Sequence, residues 1–105
     1  MALYWLLSMY RFARMDDIIS REEINRMRWA ARRGMLELDL VLEPFVSQRY
    51  AQLDERDRER FRQLVLCEDQ ELFAWFMGRE QPDNEELAGI VSQILDFART
   101  PPGDR

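Results

Sequence analysis

The sequence predicts an all-α protein, a compact single-domain bundle of about five short helices. Apolar residues recur at three- and four-residue spacings along most of the chain. Helix-capping side chains and helix-stopping glycines fall between those runs. No two segments alternate apolar and polar residues well enough to pair as strands. A chain of 105 residues has the common size of one core, and three Trp, six Phe and three Tyr can fill it.

Each element has its own signal. Residues 1–19 read as an N-terminal tail, expected to be flexible. Its apolar run, Leu3 to Leu7 with Met9 and Tyr10, is far short of the ~20 residues that span a bilayer. It has no basic leading region and no small-residue cleavage site, so a secretory signal is not expected. The alternative to a mobile tail is a start placed too early, with Met15 as the true start of translation. Ser20 and Glu23 form a capping box that opens a helix carrying Ile24, Met27 and Ala31 inward. Gly34 breaks or bends it. Leu36, Leu38, Leu40 and Leu42 alternate with polar residues like a strand, yet Met35, Leu38, Val41, Leu42 and Phe45 share one helical face. Pro44 argues against a central strand, so a helix over 35–50, kinked near Pro44, is expected.

Asp54 is read as the cap of a third helix, with Phe61, Leu64 and Val65 inward and "DERDRER" on its outer face. Asp69 is read as the cap of a fourth, "QELFAWFM", ending at Gly78. Asp83 and Glu86 suggest another capping box, followed by an apolar stripe of Leu87, Ile90, Val91, Ile94 and Leu95. Pro101 and Pro102 are expected to end the ordered chain. The helical domain is therefore placed at 20–99, with residues 100–105 as a C-terminal tail.

The chemistry of the side chains excludes more than it offers. The chain has no His, which removes the usual general base, the Ser-His and Cys-His nucleophile pairs and most zinc sites. Its four glycines are scattered at 34, 78, 89 and 103, so no Gly-rich loop cradles a phosphate. One cysteine, Cys67, permits no internal disulfide and no cysteine metal cluster, and is expected in the core. An enzyme is not expected, nor any cofactor or metal of the chain's own. All 15 basic residues are Arg, and the net charge is −5. Residues 1–33 carry net +3 and residues 34–105 net −8. The basic stretch is one helix long on an acidic body, which is too small a footprint for nucleic acid.

Where positive charge ends and acid begins, the chain reads "RRGMLELDLVLEPFV", followed later by "LFAWFMG". These stretches resemble the bacterial succinate dehydrogenase flavinylation factors, which are similar to mitochondrial succinate dehydrogenase assembly factor 2. The family's R-G-x-x-E motif corresponds to Arg33, Gly34 and Glu37. The wider R-R-G-M-x-E-L-D pattern runs from Arg32 to Asp39, and the L-F-x-W element corresponds to Leu72, Phe73 and Trp75. The resemblance covers Ile24 to Phe97 and implies a five-helix fold.

It also implies an assembly role. The chain would bind the flavoprotein subunit of succinate dehydrogenase, or of fumarate reductase, and promote covalent attachment of FAD to a histidine there. Arg32, Arg33, Gly34, Glu37 and Asp39 would form the partner-binding surface. The FAD and the histidine would both belong to the partner, and the chain would be a cytoplasmic monomer when free. The competing class is an antitoxin of a toxin–antitoxin pair.

Simpler structural readings stand beside that surface. On a continuous helix Arg33 and Glu37, four apart, would pair for ~0.2–0.5 kcal/mol. If Gly34 ends the helix, Glu37 instead falls in the next helix's first turn and favours its dipole. Trp29 is expected to pack beneath the patch. Phe73 and Trp75 are two apart and cannot share one helical face.

Overall fold

A computed structural model describes residues 20–105. The tail and start-site readings concern residues 1–19 and lie outside the described residues.

Among the described residues five α-helices follow one another: α1 Arg21–Ala31, α2 Leu36–Arg49, α3 Glu55–Leu64, α4 Asp69–Phe76 and α5 Glu85–Arg99. Short 3-10 turns cover Tyr50–Gln52 and Pro102–Asp104. Packing follows the apolar stripes. Helix α1 lies along α2, α2 meets α4 and α5, and α3 meets α5. The centre is aromatic. Phe45 of α2 stacks on Phe61 of α3 at 5.8 Å and meets Phe97 of α5 edge-on at 5.7 Å. Tyr50 packs on Phe61 at 5.5 Å. Such pairs add ~0.5–1.5 kcal/mol beyond the area they bury.

Helix α2 resolves the strand-like alternation. Leu38, Leu42, Phe45 and Val46 are buried, whereas Leu36 and Leu40 face outward. Two rows of leucine, each at i and i+4 on opposite faces, produce a leucine at every second position. Pro44 sits inside the helix without ending it. The carbonyl it leaves without a helical donor belongs to exposed Leu40, where water can serve it.

Ser20 and Asp54 cap α1 and α3 as expected, whereas the caps of α4 and α5 differ in register from the sequence reading. Ser20 accepts from the Glu23 amide at 3.1 Å, but the Glu23 carboxylate accepts from Arg62, 3.2 Å away on α3. Asp54 caps α3 by accepting from the Asp57 amide at 2.8 Å. Helix α4 is capped by Glu68, one residue before Asp69, and the Glu68 amide donates to Glu71 at 3.2 Å. Helix α5 is capped by Asn84, not Asp83. The Asn84 side chain takes the amides of Glu86 and Leu87, while the Glu86 carboxylate is drawn to Arg56 and Arg60. At Glu23 and Glu86 a longer-range arginine competes for the acid that local spacing assigned to the capping box. Gly78 ends α4 with φ +73. The Arg79 amide reaches Ala74 O and the Gly78 amide reaches Trp75 O, which is a Schellman closure.

Two further expectations need correction. The "DERDRER" face is not wholly outward. Arg58 is buried, donating to the Leu53 carbonyl and pairing with Glu55 at 3.1 Å. Pro101 and Pro102 do not end the regular structure, since Pro102–Asp104 form a 3-10 turn. Arg105 lies 4.4 Å from the Phe97 ring centroid and donates to Thr100 O at 2.9 Å.

Candidate functional site

The Arg32–Asp39 stretch spans the end of α1, a tight turn and the start of α2. Gly34 takes φ +76, a left-handed conformation that side chains disfavour, and this splits the two helices. Glu37 consequently falls in the first turn of α2, where it complements the helix dipole, and it does not pair with Arg33. Among the described residues its carboxylate has no hydrogen-bond or ion-pair partner, and the residue is exposed.

The other residues of the stretch have different surroundings. Arg32 is exposed, and its guanidinium lies 5.9 Å from the Trp29 ring centroid. Its backbone amide closes α1 onto Trp29 O at 3.1 Å. Arg33 turns inward and donates to the carbonyl of Val65, at the end of α3. Asp39 is half-buried and accepts from the backbone amide of Arg33 at 2.8 Å. The five predicted residues thus share one region, but only Arg32, Gly34 and Glu37 are exposed. Arg33 and Asp39 hold the turn together.

Trp29 does not pack beneath this surface. It is 73% exposed, and Leu36 and Leu40 are 67% and 65% exposed. Helices α1 and α2 flank an open groove of about 320 Å³ lined by Asn25, Arg28, Trp29, Arg32, Asp39 and Glu43. Arg28 and Glu43 bridge the two helices at 3.5 Å. Apolar and ionic side chains thus stand side by side on this exposed face. Sequence reasoning assigned no site role to Trp29, Leu36 or Leu40. Leucine on both faces of α2 was the available signal.

The L-F-x-W element has a structural role. Leu72 and Phe76 are buried, while Phe73 and Trp75 are half-buried against the core. Arg79 stands 5.4 Å over the Phe73 ring. Cys67 is half-buried too, and burial pushes its thiol above the usual range, with Glu71 adding to the rise. A thiol so disfavoured from ionising is a poor nucleophile.

Residues 25–98 match the family described as flavinator of succinate dehydrogenase. The chain belongs to this family. Flavinator relatives include an FAD assembly factor SdhE of Idiomarina loihiensis, 53% identical over 71 residues, which are 68% of this chain and 79% of that protein. The factor of the same name from Pseudomonas aeruginosa is 51% identical over 74 residues, 70% of this chain and 88% of that one. The solution structure of a UPF0350 protein superposes with a TM-score of 0.65 at 34% identity, covering 84% of this chain and 96% of that one. None of these names a toxin or an antitoxin. No helix of this flavinator is long and apolar enough, among the described residues, to cross a membrane.

Proposed function

We propose that this flavinator binds the flavoprotein subunit of succinate dehydrogenase through the face around Gly34 and promotes covalent attachment of FAD to it. The observation that carries the reading is the family match over 25–98 together with the exposed apolar side chains beside the R-G-x-x-E residues. The factor supplies no catalytic group and keeps no flavin of its own. Flavin and acceptor histidine come from the client, and the cofactor brings the bond-forming chemistry. Holding the client so that the two groups approach correctly can itself lower a barrier by several kcal/mol. Arg32 and Glu37 offer opposite charges for orientation, and Trp29, Leu36 and Leu40 offer apolar area. The flavoprotein of fumarate reductase is the second client this reading admits. The free factor is a cytoplasmic monomer.

The test is co-expression with the flavoprotein subunit in cells lacking their own factor. Covalent flavin is read by fluorescence of the denatured subunit in a gel. The wild-type chain should restore the signal, and Trp29→Ala and Glu37→Ala should each lower it while circular dichroism stays unchanged. An exposed Trp at the centre of an interface commonly accounts for ~2 kcal/mol or more of affinity. A wild-type chain that binds the subunit without raising its covalent flavin would sink the proposal.

A further inference from the structure

Arg33 stands first in R-G-x-x-E, yet its side chain is only 15% exposed. Its guanidinium donates to Val65 O, the carbonyl of the residue closing α3. Its Nε lies 3.7 Å from Asp69 Oδ1 in the first turn of α4, buried and without a hydrogen-bond partner. Its own backbone amide donates to Asp39 Oδ1, on α2, at 2.8 Å. One residue therefore joins the α1–α2 turn to two other helices, α3 and α4, and to the first turn of α2 itself. Gly34 follows it directly, and exposed Glu37 lies four residues on.

We propose that Arg33 is a positioning residue: it clamps the 32–35 turn to the α3–α4 corner and so fixes how Gly34 and Glu37 meet the flavoprotein subunit. This rests on the reading that the same face binds that subunit. A cation meant for a partner stays hydrated until docking, whereas this one is already largely desolvated and has committed a donor inside its own chain. Removing it leaves the Val65 carbonyl without that donor and frees one side of the turn, which then samples more conformations before docking.

The experiment compares Arg33→Ala, Arg33→Lys, Asp39→Ala and the Arg33→Ala/Asp39→Ala pair. All are studied at a temperature where circular dichroism shows each fully folded. Hydrogen exchange of the Arg33, Leu38 and Asp39 amides, which are hydrogen-bonded within the turn and the start of α2, is measured on the isolated factor, and covalent flavin on the co-expressed subunit. Arg33→Ala and Asp39→Ala should each speed exchange about tenfold and lower flavinylation together. Arg33→Ala keeps the backbone amide that Asp39 accepts, so Asp39→Ala removes a second tether of the same turn, and the double variant should speed exchange at least as much as the worse single one. Arg33→Lys keeps a charged donor for Val65 and should recover most of both signals. The clamp is refuted if Arg33→Ala lowers flavinylation while exchange stays at the wild-type rate, since Arg33 then touches the partner. Faster exchange with full flavinylation refutes it too. The underlying site reading fails separately, if Gly34→Arg and Glu37→Ala both support normal flavinylation.

Discussion

Gly34 shows how much one backbone angle can decide. A Cβ built there would meet nothing within 4 Å among the described residues, so their packing does not demand glycine; the φ of +76 does. Gly34→Ala should cost ~1 kcal/mol in urea unfolding, and Gly34→Asn less, because Asn tolerates the left-handed region better. Equal costs for both would show that the angle is not what matters. Gly34→Arg adds to the same backbone strain a long side chain facing the partner. Flavinylation should therefore fall much further than stability. Arg33 was less legible in the sequence. Its nearest acid by spacing is Glu37, but its contacts lie 32 and 36 residues ahead, at Val65 and Asp69. Sequence neighbours could not reveal them. Trp29 misled for a related reason, since an aromatic beside a helical stripe ordinarily reads as core.

Helices were legible wherever one face was apolar. The stripe of α5 and the pair Phe61 and Leu64 of α3 stand in the core as expected. Cap register was harder, because several polar residues compete at each start. Around α5 the difference is measurable. Asn84→Ala should cost ~1 kcal/mol of stability by thermal melting, since Asn84 accepts two amides. Asp83→Ala should change it little. The reverse ranking would return the cap to Asp83. Helix α2 was ambiguous because its second leucine row serves no internal core. Leu36 and Leu40 are locally inconsistent with a free, solvated helix, and such inconsistencies mark surfaces that act on something else.

Across the whole molecule, arginines of α3 tie the bundle together. Arg62 meets Glu23, Glu55 and Glu59, and Arg60 meets Asp57 and Glu86. The hydrogen bond from Gln93 is the largest influence holding the Asp57 carboxyl below its usual range, and Arg60 adds to it. Bonds from Arg60 hold Glu86 down, and bonds from Arg62 hold Glu55 down. Depressed folded values mean stability that is complete above the ordinary carboxyl range, about 4, and is lost as pH falls through the folded values. At the alkaline side burial raises Tyr50 and Cys67, so their contribution is complete below their ordinary values and is lost as pH rises past them. With no His to titrate between, urea midpoints should stay level from about pH 5.5 to 8 and fall on either side. A step near pH 6.5 would contradict this.

The inward reach of Arg33 has a practical consequence. The corner it grips carries the chain's single thiol, two residues beyond Val65. An environment-sensitive dye attached at Cys67, a slow reaction for a thiol that resists ionising, would sit at that corner beside the core. Its emission would report how the corner gripped by Arg33 responds when a client arrives.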